Sequence, residues 1–329
     1  MAHTLRFGLE IELLLKDDSW IKHKNWNSVA AAICQSLGSQ RVGAHLTNAS
    51  MTRSETYQEW AISPELTISV DAVKQKNHYG IELVSPVYRK MKSGWGKQLL
   101  AIFAIIEKGF SIANTPTTGT HIHVSSATYF SALDVASIAK AGTYFEPALD
   151  CLVPKRRRGN NNYWGQSLLN SLPFANTFGI ADVWAIIDDA AATGDVLSVV
   201  QTVNLVSKSS PRGLGMGATD DFIHGKMFKW NFAPLVECSD GRGAPLGTVE
   251  FRQPSGSTNP GHVAQWAFLA VAFVQAAVSG GLGHYDPGTG KRNRKELWMF
   301  VKYGARFLSM DSAEVREFKS WIVDTEPEN

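Results

Sequence analysis

The stretch Leu5 to Leu15, LRFGLEIELLL, restricts the fold more than any other part of the chain. Leu5, Phe7, Leu9, Ile11, Leu13 and Leu15 alternate with Arg6, Gly8, Glu10 and Glu12. That period of two is the pattern of a strand with one apolar face. Glu10 and Glu12 then point to the same side of a sheet. Neighbouring carboxylates repel, so keeping both ionised requires solvent, cations or a metal between them. On its own the pair would also suit an edge strand with a solvated acidic face.

Three further stretches repeat the design. In GIELVS (Gly80 to Ser85), Ile81 and Leu83 face one way and Glu82 the other. In GTHIHVS (Gly119 to Ser125), Ile122 and Val124 oppose His121 and His123. In TVEFRQ (Thr248 to Gln253), Val249 and Phe251 oppose Glu250 and Arg252. Side by side, four such strands would form a sheet with an oily back and a front rich in metal ligands and phosphate donors.

Composition narrows the partners. The 329 residues suffice for one large domain or two, and 44% hydrophobic content with ten Trp supports a sizeable core. A formal charge of +2 disfavours nucleic acid as the main partner. Cys34, Cys151 and Cys238 are odd in number and lack CxxC spacing, which suits a reducing compartment. No signal-like opening is present, so a cytoplasmic location is expected. Val263 to Ser279 is almost wholly apolar but short of the usual ~20-residue span, so it reads as a buried helix and no membrane is expected.

Along the chain, helices are expected over Asn27 to Leu37, Lys92 to Gly109, Ser131 to Asp150, Asp182 to Asp189 and Val196 to Val206. Further helices are expected after Asn259-Pro260, over Arg294 to Leu308 and over Asp311 to Val323. Ser131 with Asp134, and Asp311 with Glu314, read as capping boxes, and Pro147 should kink or end its helix. Tyr57 to Ile62 and Gly225 to Leu235 read as strands. Asp17 to Asn27, Lys155 to Trp164 and Ser207 to Thr219 read as loops, the last a mobile one able to close over a ligand. The absence of GxxxxGK[ST] excludes a P-loop. With no repeat and no clear linker, residues 1–329 read as one α+β catalytic domain with terminal helices 294–323 packed on it.

Glu10, Glu12, Glu82, His121 and Glu250 make an oxygen-rich set suited to Mg²⁺ or Mn²⁺ more than to zinc. Arg252, two residues from Glu250, can neutralise a phosphate on the same metal. These residues alone leave an ATP-dependent ligase and a two-metal phosphohydrolase both open.

The ordered run FGLEIEL, WAISPELT, GIELVSP, GTHIHVS, RGNNNYW, KMFKWNF and TVEFRQPSGS resembles the putative amidoligase family, carboxylate–amine ligases related to glutamine synthetase and glutamate–cysteine ligase. The likeness extends from residue 5 to about 275. It implies an antiparallel sheet forming a half-open cradle, with helices on its convex side and ATP with two or more Mg²⁺ or Mn²⁺ ions on its concave side. It also implies phosphorylation of a carboxylate, that of an amino acid or peptide, followed by displacement of phosphate by an amine. Carried over by position, Glu10, His121 and Glu250 resemble the ligands of the phosphate-bridging ion, and Glu12 and Glu82 those of an ion nearer the amine. Arg252 resembles the arginine that grips the transferred phosphoryl group. Arg158, Asn161, Tyr163, Lys226 and Asn231 resemble phosphate or substrate contacts, and His123 a group orienting the acyl phosphate.

One position departs. Where the family shows W-x-V-x-x-D-x-S, this chain has Trp60, Ile62, Glu65 and Thr67. Glu65, one methylene longer than Asp, is retained as a carboxylate ligand or the base that deprotonates the amine. Two alternatives fit the same strands: a kinase that forms no amide, and a non-catalytic nucleotide-binding relative. Oligomeric state is left open, and the two substrates carry no readable code.

Overall fold

A computed structural model describes residues 4–18, 23–47, 57–68, 77–92, 94–113, 115–236, 244–310 and 312–324. Its strands are β1 (Leu5–Asp17), β2 (Ala44–Leu46), β3 (Trp60–Pro64), β4 (His78–Val84), β5 (Phe110–Ala113), β6 (Thr120–Ser126), β7 (Leu205–Val206), β8 (Phe222–Ile223), β9 (Trp230–Asn231) and β10 (Thr248–Phe251). Its α-helices are α1 (Trp26–Ser39), α2 (Trp95–Gly109), α3 (Ala132–Asp150), α4 (Ile180–Ala192), α5 (Val196–Asn204), α6 (Pro211–Met216), α7 (Pro260–Val278), α8 (Arg294–Ala305) and α9 (Ser312–Asp324). The chain divides into two compact units. A sheet unit comprises Arg6–Ile122 and Pro254–Phe268; a helical unit comprises Met1–Leu5, His123–Gln253 and Leu269–Asn329.

In the sheet unit, β1 pairs antiparallel with β4, β4 antiparallel with β3, and β3 parallel with β2; β5 pairs antiparallel with the end of β1. The mixed α and β content and the mostly antiparallel pairing agree with what the family resemblance implies. Leu9, Ile11, Leu13, Ile81 and Leu83 are all buried, as are Val29, Ile33 and Leu37 of α1 and Leu99, Ile102, Phe103 and Ile106 of α2. Removing one such Leu or Ile side chain typically costs ~2–5 kcal/mol. Asn25 closes the start of α1 with a capping box, its side chain accepting the Ser28 N–H. Phe7 lies edge-on to Trp95, their ring centroids 5.4 Å apart, and tilted against Tyr88 at 5.3 Å.

In the helical unit, α3 packs on α4, α5 and α8. Its capping box forms as read: Ser131 accepts the Asp134 N–H, and the Asp134 carboxylate accepts the Ser131 N–H. Pro147 does not end it. The helix runs on to Asp150. The proline lacks the N–H that would serve the Thr143 carbonyl four residues back. Arg292 supplies a donor instead, Nη2 to Thr143 O at 3.0 Å. An aromatic core of Trp230, Phe251, Phe273, Phe145 and Phe300 lies behind β9 and β10.

Two expectations about this unit need correction. Gly225 to Leu235 is not one strand: 3-10 turns at Gly225–Met227 and Ala233–Leu235 flank the two-residue β9. Pro234 has no N–H to give a ladder, while Phe228, Trp230 and Phe232 are buried all the same. Ser207 to Thr219 is not wholly loop. Ser210 accepts the Gly213 N–H and Pro211 opens α6, an N-cap and N1 proline pair. Residues Val263, Trp266 to Val274, Ala276 and Ala277 of α7 are buried. That helix is also long and apolar enough to cross a membrane by length and composition. The Asp311 to Glu314 capping box and much of Gln40 to Thr56 lie outside the described residues.

Candidate functional site

The antiparallel register sets Glu12 of β1 directly opposite Glu82 of β4, and Ser63 of β3 opposite Glu82 in turn. Ser63 Oγ donates to Glu82 Oε2 at 3.1 Å. Glu65, just past β3, joins them: one carboxylate oxygen each from Glu12, Glu65 and Glu82 lies within 4.8 Å of the others. Thr67 fixes Glu65 by donating both its N–H and its hydroxyl to Oε1 at 2.6 Å. The Glu65 backbone packs closely on Gly80. The Glu65 N–H donates to the Gly80 carbonyl at 3.2 Å, and a Cβ on Gly80 would come within 2.9 Å of the Glu65 carbonyl oxygen.

His121, on the opening half of β6, faces the same strands. Its Nδ1 lies 3.6 Å from Glu10 Oε2 and its Nε2 3.8 Å from Glu12 Oε1, distances that allow ion pairing but no short hydrogen bond. Two features hold it there. The Gly119 N–H donates to Glu12 Oε2 at 2.6 Å. Thr120 is clamped from the other side, accepting the Ser257 N–H at 3.1 Å. Gly119 is required by close approach, because an added Cβ would come 2.5 Å from His121 Nε2 and 3.3 Å from Glu12 Oε2.

These carboxylates lie near one another, with Glu12 buried and Glu10, Glu65 and Glu82 half-buried. The Glu82 carboxyl is pushed up to about 8, first by burial and then by Glu10, Glu65 and Glu12; the Ser63 hydrogen bond opposes this. Four acids and an imidazole at hard-ligand spacing fit a divalent, oxygen-preferring ion, whose charge would relieve that repulsion. Glu10, Glu12, Glu65, Glu82 and His121 are thus gathered within the sheet unit, with Glu10, Glu12, Glu82 and His121 on the faces that alternation gives them.

The helical unit gathers a second set. Asn231 Nδ2 donates to Glu250 Oε2 at 2.7 Å across the β9–β10 pair. Arg252 Nη1 donates to Glu250 Oε1. The Arg252 backbone N–H donates to the Lys229 carbonyl at 2.8 Å. His123, on the closing half of β6, lies 3.0 Å from Thr248 Oγ1 through Nδ1 and 3.7 Å from Glu250 Oε1 through Nε2. Asn231 therefore orients Glu250 from the inside of the fold, its other amide atom accepting the Ala233 N–H at 3.0 Å. Arg158 and Asn161 are tied into their own loop: Arg158 Nε donates to the Val153 carbonyl at 2.9 Å and Asn161 Nδ2 to the Lys155 carbonyl at 3.0 Å. Lys226 and Tyr163 are exposed.

A buried ion triad goes unread in the sequence. Lys229 Nζ, 1% exposed as a residue, donates to Glu146 at 2.8 Å and Asp150 at 2.6 Å. Asp150 also accepts from Gln253 Nε2 at 2.6 Å and from the Gly159 N–H at 2.8 Å. One carboxylate thus ties the segment after β10, which bears Arg252, to the loop bearing Arg158. The signal was available as two acids four residues apart on the largely apolar α3, since such acids on a buried face require a cation.

No curated protein matches the sequence. A solved structure described as "Crystal structure of novel glutamine synthase homolog" is 12% identical with a TM-score of 0.39. The similarity covers 97% of this chain and 65% of that one, so this chain spans just under two thirds of its length. The family described as "Putative amidoligase enzyme" matches residues 3–274, the greater part of the chain; the protein is a member of that amidoligase family.

Proposed function

We propose that the protein is an ATP-dependent ligase that joins a carboxylic acid to an amine. The observation that carries this reading is the Glu12–Glu82–Glu65 cluster in a chain of the amidoligase family. In the reaction, an oxygen of the substrate carboxylate attacks the γ-phosphorus of ATP and the bond to ADP breaks. The amine nitrogen then attacks the acyl carbon of the acyl phosphate, inorganic phosphate leaves, and the nitrogen gives up a proton. The antiparallel strands serve as the floor of a nucleotide cradle of the glutamine-synthetase type.

Each residue has a proposed task. Glu10, His121 and Glu250 would hold one Mg²⁺ or Mn²⁺ ion, and Glu12 and Glu82 would hold a second. When bound, the ions supply neutralisation of phosphate charge. Arg252 grips the phosphoryl group through its planar donors, and Asn231 keeps Glu250 aimed. Glu65, anchored through one oxygen by Thr67, takes the proton from the amine. His123 orients the acyl phosphate, while Arg158, Asn161 and Lys226 contact phosphate or substrate. Small-molecule acids and amines are the proposed partners, with the cytoplasm as the site of action.

The test is ADP and phosphate release across panels of amino acids, peptides and amines, with amide product sought by mass spectrometry. Release that requires Mg²⁺, an acid and an amine together supports the ligase. A stable phosphorylated acid with no amide would make the protein a kinase, and ATP binding without turnover a non-catalytic relative.

A further inference from the structure

In the helical unit, the short ribbon of β7 and β8 delivers His224 beside Trp164 and Arg212. Residues Leu205 and Val206 pair with Ile223 and Phe222, and the His224 N–H donates to the Asn204 carbonyl at 3.0 Å. The Arg212 guanidinium lies over the Trp164 indole, 5.4 Å from its ring centre. The His224 ring centre is 6.5 Å from that of Trp164 and 5.8 Å from that of Phe222. Arg212 is carried on a turn that cannot shift freely, since Gly213 packs so closely on Lys208 that a Cβ would come 2.3 Å from the Lys208 carbonyl oxygen.

Two polar atoms in this group stand out. Arg212 Nε and His224 Nε2 are both buried, and among the described residues neither has a hydrogen-bond partner. Buried donors without partners are rare in folded proteins, because each costs the full loss of its hydration. Asp221, the acid nearest in sequence to His224, does not serve them and accepts the Lys208 N–H at 2.8 Å instead. The charged neighbours acting on His224 are Arg212, Lys226 and Arg252, and burial with these cations lowers its imidazole to about 4. Burial with these cations therefore disfavours a charged ring, and of the three Arg212 is the one stacked on Trp164.

We propose that Arg212, His224 and Trp164 form a carboxylate-binding subsite, in which Arg212 Nε–H and His224 Nε2–H donate to one substrate carboxylate flanked by the Trp164 and Phe222 rings. A planar anion with two acceptor oxygens matches two donors between aromatic flanks. The subsite rests on and deepens the ligase reading. It assigns one substrate to the class of small molecules with a carboxylate beyond the reacting group, such as an amino acid or a dicarboxylic acid.

The test uses the full chain and imidazole proton–carbon NMR spectra, with the His224 signal assigned from His224→Gln. Succinate, L-glutamate, inorganic phosphate and ATP with Mg²⁺ are titrated separately. A saturable movement of the His224 signal with succinate or glutamate is expected, weakened about tenfold or more in Arg212→Gln and less in Arg212→Lys. Affinity for ATP with Mg²⁺ should be unchanged in both variants, which also shows that they are folded. No saturable response to either carboxylate, or an equal response in Arg212→Gln, overturns the subsite. A response to phosphate or ATP in place of the carboxylates also overturns it and assigns the group to the nucleotide. Failure of the wild-type chain to bind ATP with Mg²⁺ counts against the ligase reading alone, because the carboxylate arms need no nucleotide.

Discussion

Glu12 and Glu82 are register partners on adjacent antiparallel strands, with Glu65 close enough for all three to share one ion. Like charges directly opposite each other destabilise a strand pair. Without cations, this sheet therefore carries repulsion at the place where its function needs charge.

That repulsion makes stability depend on pH. Glu82 keeps its proton up to about 8 in the folded chain, whereas the unfolded chain releases it near the ordinary carboxylate value of 4.5. Between those values the folded state binds the extra proton, so unfolding releases one and stability falls as pH rises. Urea unfolding of the metal-free protein from pH 5 to pH 8 should show a loss on the order of a few kcal/mol. Added Mg²⁺ should reverse the loss most strongly at the alkaline end.

Glu82→Gln should flatten that pH profile and stabilise the metal-free fold by about 1 kcal/mol at pH 8, through loss of like-charge repulsion. The same variant should lose the stabilisation by Mg²⁺. Thermal unfolding with and without the ion reads both effects, and unchanged behaviour would remove Glu82 from the ion site.

Gly119→Ala tests the close packing behind His121. The new methyl would sit 2.5 Å from His121 Nε2, so the imidazole must move away from Glu10 and Glu12. Overpacking of this kind costs about 1–3 kcal/mol, and the variant should lose ion binding beyond what that destabilisation explains. Calorimetric titration below the melting temperature separates the two.

Lys229→Met leaves Glu146 and Asp150 buried without their cation, a loss of about 3–5 kcal/mol. The triple variant with Glu146→Gln and Asp150→Asn should recover part of it. In a functioning ligase, Arg252→Lys should lower kcat by roughly 10²–10³-fold with little change in stability, because a point charge replaces a planar fork aimed at the phosphoryl group.

Much of the sheet unit was legible in the sequence because a period of two assigns each side chain to a face. Glu10, Glu12, Glu82 and His121 are where alternation puts them. Glu65 and Asn231 come from the family resemblance, and their contacts with Glu82 and Glu250 follow only from the register between strands, which no single strand encodes. The stretch around Lys226 misled because aromatic alternation in KMFKWNF looks like a strand, while the 3-10 turns on either side of β9 satisfy the same burial. The Lys229 triad and the Arg212–His224 pair were hidden for a different reason. Their members meet through tertiary packing, so local pattern offers at most the two acids four residues apart on α3 and does not name the cation between them.

The most direct test is a Mn²⁺ titration followed by electron paramagnetic resonance, in the presence of a non-hydrolysable ATP analogue. Saturable binding of about two ions per chain is predicted, reduced in Glu12→Gln and in Glu82→Gln. Absence of saturable binding, or binding indifferent to both substitutions, would contradict the assignment of these strand-borne acids to a divalent-ion site.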